Sequence, residues 1–222
     1  PACFAGTRPA AGVGQKIAKH LPKGRGSELV ISLMKEAGLF LESQEINRVR
    51  IDLGENPANC LWLWGQGKKP HLALFEKQYG LNGAIFTEAD FVKGVAANTG
   101  LTLFKDPAKI PTQAEVVFFY YGAREEYPAE RGLKQKIKKI EDVDAFVGSI
   151  LKKHEKEPLK ICVTGDVSES LLQKTSTRNP TLVLTAGEGI AAEKNTVFSE
   201  KACGQNPLSE KSDEFLRAFL KK

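Results

Sequence analysis

Between Ser27 and Phe40 apolar residues recur at three- and four-residue spacings, at Leu29, Val30, Leu33, Met34, Ala37 and Phe40. That period predicts an amphipathic helix with Ser27 as its N-cap. Residues 1–14, rich in Ala, Gly and Pro, read as a loose arm, and residues 42–58, with Gly54 and Pro57, read as a polar linker. From residue 60 onward short apolar runs alternate with helical periods. Cys60–Trp64 is a strand candidate closed by Gly65-Gln66-Gly67, and His71–Tyr79 is a helix candidate that stops at Gly80. Gly83–Thr87 is a second strand. Thr87 is placed to cap a helix over 88–99, Asp90 stands three residues on as a variant of the capping box, and Gly100 is a helix stop. Glu115–Tyr121 is a third strand. Leu133, Ile137, Ile140, Val143, Val147 and Ile150 form the stripe of a long amphipathic helix. Leu159–Thr164 and Thr181–Thr185 complete five strands, and a last helix starts at Ser212.

Strands that read as continuous apolar runs between helices predict an α/β fold. The expected architecture has three layers, a mostly parallel sheet of about five strands with helices on both faces. Residues 1–50 are assigned to an N-terminal arm and helix, and residues 51–222 to the α/β domain. The segment from Glu115 through the long helix to Thr164 reads as a right-handed βαβ crossover. In such sheets ligands sit beyond the carboxyl ends of the strands. Those ends are the segments 65–70, 122–132, 165–179 and 187–189.

Composition narrows the partners. Net charge is +5, but only eight of the 32 basic residues are arginines, and no basic stretch is interleaved with aromatic residues. Nucleic-acid recognition leans on guanidinium forks and stacked aromatics, so the excess lysine reads as solvated helix surface. The longest apolar run, Val116–Tyr121, is strand-sized and far short of the roughly 18 residues of a membrane span. Four cysteines at positions 3, 60, 162 and 203 have no paired spacing. With no secretory leader in view, they read as free thiols of a cytoplasmic protein.

The loops offer several candidate groups. Gly65-Gln66-Gly67-Lys68-Lys69 reads either as a tight strand-to-helix turn or as an anion cradle of backbone N–H groups. The loop from Gly122 to Gly132 supplies Arg124, Glu125, Glu126 and Glu130, and the loop after Gly165 supplies Asp166, Ser168, Glu169, Lys174 and Ser176. Carboxylates at two adjacent strand ends can share a hard cation, or can simply be surface acids. His20, His71 and His154 all lie away from these loops.

A more specific pattern runs through residues 16–94. It comprises His20-Leu21-Pro22-Lys23-Gly24, Asn47-Arg48, and the block Pro57-Ala58-Asn59-Cys60-Leu61-Trp62-Leu63-Trp64-Gly65-Gln66-Gly67. Phe75 to Gly80, Gly83-Ala84-Ile85 and Asp90-Phe91-Val92-Lys93-Gly94 follow. This run resembles the archaeal-type cofactor-independent phosphoglycerate mutases of the alkaline phosphatase superfamily. The resemblance extends from about residue 16 to the C-terminus and matches the later half of a family member. The family's N-terminal segment, with its first metal-binding aspartate and its serine nucleophile, has no counterpart among these residues.

The resemblance implies an alkaline phosphatase-like core and a pair of divalent metals, typically manganese, that activate the serine and hold the phosphoryl group. It places an Asp-x-x-x-His motif where this chain has Glu125 and Ala129, and TGDHS where this chain has Thr164-Gly165-Asp166-Val167-Ser168. A last histidine falls at Ser176, with Lys174 kept beside it. Glu125 and Asp166 are thus vestigial metal positions, with no catalytic residue assigned. Lys93, Lys174, Gly65 and Gly67 are the candidate anion-binding positions. The expectation is a degenerate mutase relative that works by binding and has no resident cofactor, manganese or another divalent cation being the candidate for any surviving site. Expected partners are a second copy, or a protein covering the missing half, and a small phosphorylated metabolite, with no nucleic acid and no membrane. The competing reading is an enzyme in which Glu125, Glu126 and Asp166 hold one cation while Lys93 and Lys174 hold a phosphate ester. A third reading makes the 222 residues a piece of a longer polypeptide.

Overall fold

The computed structural model describes residues 3–12, 14–122, 129–165, 168–170, 175–177, 180–192, 197–204 and 211–221. The chain divides into two compact units, Pro1–Pro70 and His71–Lys222.

In the first unit β1 (Cys3–Ala5) pairs antiparallel with β2 (Lys23–Arg25), Phe4 opposite Gly24. Helix α1 (Ser27–Glu42) follows at once. The cap falls one residue earlier than its composition suggests. Gly26 takes the cap position at φ 86°, a left-handed conformation that suits glycine, so Ser27 becomes a buried first residue of the helix with no side-chain cap. The stretch expected to be a polar linker contains a second helix, α2 (Glu45–Asp52). No Gly or Pro interrupts residues 39–53, and Glu45 and Arg50 stand at the ends that favour their charges.

The strand expected at Cys60–Trp64 is absent, for residues 55–74 contain neither helix nor strand. The segment runs beside the arm, with Gly6 close against the backbone of Leu63 and Trp64. Side chains hold it there in place of a ladder. Trp62 Nε1 donates to the Thr7 carbonyl at 2.8 Å, and Gln66 Nε2 donates to the Phe4 carbonyl.

The second unit carries the α/β core. It opens with the short α3 (Phe75–Tyr79), which Gly80 ends. Strand β3 (Gly83–Thr87) leads through α4 (Asp90–Thr99) to β4 (Thr102–Phe104), which lies parallel beside it, Ile85 opposite Leu103. On the other edge of β3 lies β5 (Val116–Tyr120), also parallel, so the sheet order is β4-β3-β5. The strand alternation sends successive β5 side chains to opposite faces. Phe118 and Tyr120 pack with Ile85, Val92 and Ala96 under α4. On the reverse face Phe119 and Tyr121 meet Phe146 of α5 (Ala129–Lys153), at ring centroid distances of 4.8 and 5.6 Å. Helices thus cover both faces of a parallel sheet, as the apolar runs predict.

The start of α4 departs from the expected capping box. The Thr87 hydroxyl takes the N–H of Ala89 at 3.1 Å, and Ala89 occupies the cap position. Asp90 turns instead to Lys93.

The expected crossover from β5 through α5 does not join the core sheet. Its second strand, β6 (Lys160–Thr164), hydrogen-bonds with β9 (Val183–Gly187) in a separate antiparallel pair. Between them stands an antiparallel hairpin of β7 (Ser168–Ser170) and β8 (Thr175–Thr177). A parallel return needs a crossover of a dozen or more residues, usually a helix, and this region spends its residues on a hairpin. The βαβ unit of the structure is β3-α4-β4. Two further helices, α6 (Glu200–Cys203) and α7 (Ser212–Leu220), follow, the latter at the predicted start.

Candidate functional site

The carboxyl ends of β3 and β5 bring the chemistry of the core sheet together. Strand β3 ends at Thr87 and passes directly to Glu88, Asp90 and the first turn of α4, while β5 ends at Tyr120 and passes to Tyr121. Lys93 Nζ lies 2.9 Å from Asp90 Oδ1, and both side chains are substantially exposed. An exposed pair of this kind contributes at most about 1 kcal/mol. A phosphate dianion therefore meets little resistance in drawing the ammonium away, although Glu88 and Asp90 repel it.

Tyr121 is a functional candidate that the spacing of residues does not reveal. Burial raises its phenol above the ordinary 10.0, and the nearby Glu88 carboxylate raises it further. A raised folded value means that the associated stability is whole below pH 10 and is lost as pH climbs through the folded value. Thermal unfolding of the native chain should accordingly weaken in that alkaline range, and Tyr121→Phe should flatten the decline. Superimposable pH profiles for the two proteins would exclude the coupling.

The glycine pair lies in the first unit. No strand runs into it, for residues 55–74 are irregular, and α3 begins only at Phe75, so the reading as a strand-to-helix turn is overturned. Gly65 sits at φ 71° with open space around it, Gly67 has nothing within 4 Å of an added Cβ, and Lys68 and Lys69 are exposed. Glu125, Glu126, Asp166, Val167 and Lys174 lie outside the described residues.

The histidines stand elsewhere. His20 bonds to Gln15 Oε1 at 2.9 Å, His71 is exposed, and His154 Nδ1 lies 2.8 Å from Glu157 Oε2. Ala129 is the first residue of α5, and His154 follows its last, so at 1.5 Å per residue about 37 Å of helix separates them. His154 cannot stand in for an imidazole at the start of α5. Ser176 is a residue of β8. Among the described residues no three His, Cys, Asp or Glu side chains come together. The positions that the resemblance marks for metals hold two carboxylates, one hydroxyl and two hydrocarbon side chains. Two cations that each need four or more donors, imidazoles among them, do not fit that set.

The conspicuous Pro57-to-Gly67 block has an architectural use. Asn47, 2% exposed, donates through Nδ2 to the carbonyls of Leu41 and Ala58 at 2.7 and 2.8 Å, and its Oδ1 accepts the Ala58 N–H at 2.9 Å. Arg50 Nε adds a bond to the Asn56 carbonyl at 3.1 Å. Helix α2 thereby anchors the start of the block, while Trp62 and Gln66 anchor its end to the arm.

No protein-family model matches the chain. A probable 2,3-bisphosphoglycerate-independent phosphoglycerate mutase of Geobacter sulfurreducens is 36% identical over 195 residues, 79% of this chain and 49% of that protein. The 2,3-bisphosphoglycerate-independent phosphoglycerate mutase of Methanosarcina mazei is 33% identical over 187 residues, 75% of this chain and 47% of that one. A solved protein from Pyrococcus horikoshii shares the fold, with a TM-score of 0.62 at 24% identity over 79% of this chain and 51% of that structure. The chain spans about half the length of the curated relatives it matches. Over that span it is homologous to the 2,3-bisphosphoglycerate-independent phosphoglycerate mutases, the family to which its sequence signature points.

Proposed function

We propose that this chain is a mutase-like protein that has lost the mutase reaction and works by binding, with a small phosphorylated acid or a protein as its ligand. One observation supports the reading above the others. Three positions at which the resemblance puts metal-binding histidines are Ala129, Val167 and Ser176, and the chain's own His154 sits a full helix away from the first of them. Without imidazoles the remaining Glu125 and Asp166 hold a cation weakly, and the phosphoryl group has no metal pair to bridge. Lys93 and Lys174 remain as cations for an anionic ligand. The cytoplasm, where phosphorylated metabolites of this class circulate, is the proposed location. Among the described residues no helix is long and apolar enough to cross a membrane.

The test is metal content. After incubation with manganese and desalting, mass spectrometry should find far less than one ion per chain, and no manganese-dependent interconversion of 2- and 3-phosphoglycerate should appear. Near-stoichiometric metal, with turnover that Glu125→Gln and Asp166→Asn abolish, would establish instead a metal-dependent phosphomutase or phosphatase.

A further inference from the structure

Charge is unevenly placed within the first unit. Residues 28–55, which hold α1 and α2, carry six acidic and three basic residues. Residues 1–27 and 56–70 carry Arg8, Lys16, Lys19, Lys23, Arg25, Lys68 and Lys69, and not one Asp or Glu. The tertiary structure joins these two acid-free segments at β1. Lys23 and Arg25 lie two apart on β2, opposite Ala5 and Cys3, so strand alternation puts both on one face of the pair. The irregular segment also lies along the arm, with Gly6 against Leu63 and Trp64 and the Gln66 amide on the Phe4 carbonyl, and Lys68 and Lys69 follow at once. All seven cations are exposed, and among the described residues none of them makes an ion pair.

We propose that this acid-free surface is a docking site for an acidic segment of a partner protein. Cations left without counter-charges repel one another, and an anionic partner relieves that repulsion on binding. The chemistry around the cations selects a polypeptide over a nucleic acid. Successive bases need a series of stacking platforms. Here Phe4 and Trp62 are half-buried, the Trp62 indole N–H is taken by the Thr7 carbonyl, and only Trp64, 49% exposed, is open among the described aromatic residues of this surface. Aliphatic side chains are open instead, with Ile17, between Lys16 and Lys19, 56% exposed and Leu61 47% exposed. A peptide covers them with its own apolar side chains while its carboxylates meet the lysines, which are five of the seven cations. The inference stands apart from the reading of the metal positions and holds with or without a cation there.

Fluorescence anisotropy on the full chain tests it with a short labelled peptide of paired glutamates and leucines. The chain should bind this peptide in the micromolar range at low salt and lose affinity as salt rises. Lys23→Glu with Arg25→Glu, and separately Lys68→Glu with Lys69→Glu, should each weaken binding about tenfold or more, because two attractions become repulsions. The same double reversal at the exposed Lys134 and Lys139 of α5 should leave binding unchanged, which separates a local surface from net charge. Unfolding temperatures matching the native chain's show that the variants fold, and should the β2 variant not fold, the loop variant carries the test. A single-stranded oligonucleotide of equal charge should bind more weakly than the peptide. A native chain that does not bind the peptide overturns the proposal, as does an oligonucleotide that binds more tightly. Reversals on this surface that act no more strongly than the α5 pair overturn it too.

Discussion

Gly187→Ala should destabilise the second unit by about 3 kcal/mol or more, which for a chain of this length lowers the unfolding temperature by roughly 10 °C. Gly187 closes β9 opposite Lys160 and stands at φ 115°, where L side chains are rare. A Cβ there would lie 1.9 Å from the Leu159 carbonyl oxygen and 3.0 Å from the Lys160 Cα. Both obstacles are backbone atoms, so no rotamer change relieves the overlap. The Glu188 N–H also donates to that Leu159 carbonyl, at 3.1 Å, and would have to move with it. Gly189 is the control, for its φ is 73° but an added Cβ meets nothing within 4 Å. Gly189→Ala should cost only the conformational term, about 1 kcal/mol. Hydrogen exchange should localise the larger loss to the β6–β9 pair. Equal unfolding temperatures for the two variants would refute the steric account.

Asn47→Ala should have the second largest effect, a loss of about 3 kcal/mol confined to the first unit. Three hydrogen bonds disappear, each contributing about 1 kcal/mol net, and the Leu41 and Ala58 backbone groups lose their partner on the buried Asn47 side chain. Limited proteolysis is the direct readout, with faster cleavage expected around residues 53–70. Asn47→Asp separates hydrogen bonding from packing. An aspartate still accepts the Ala58 N–H, but when ionised it faces two carbonyl oxygens with no proton to offer. Its folded pKa should therefore be raised. The sign follows directly, since the protein should be most stable below the ordinary aspartate range and lose that stability as pH rises through the shifted value. Cleavage that is as slow in Asn47→Ala as in the native chain would show that the clamp is dispensable.

The clamp gives the sequence signature an architectural use beside its other reading. A Gly-x-Gly stretch followed by two lysines invites a phosphate, and the block around it is the most specific in the chain. Its partners in the structure are the arm and helix α2, reached through Trp62, Gln66, Asn47 and Arg50. Residues so distinctive can be held in place for architecture, because a segment without regular structure must satisfy its backbone groups through side chains. Lys93, by contrast, stands where the alternation of strands and helices places it, at the carboxyl end of the core sheet. Its pairing with Asp90 was not legible, because the same spacing suits a capping box and only the position of Thr87 decides between them. That Ala129, Val167 and Ser176 carry no imidazole is visible in residue identity alone.

Periodicity by itself determined the elements whose burial is local to one strand or helix. Gly83–Thr87 is the strand its apolar run predicts, α7 starts where predicted, at Ser212, and α1 lies where its period predicts with its cap one residue earlier. The stripe from Leu133 to Ile150 falls within α5, and the runs on either side of β3 place helices on both faces of a parallel sheet. Only the tertiary structure decided which strands pair. It joined β6 to β9 antiparallel, gave β1 its partner 20 residues away, and left Cys60–Trp64 without a ladder. The physical reason is that a strand's side-chain pattern records whether its faces are buried, whereas its edges are satisfied by backbone groups that every residue carries alike. Pairing therefore depends on which segment the intervening chain can return to that edge, and a helix or a hairpin in between sets the answer.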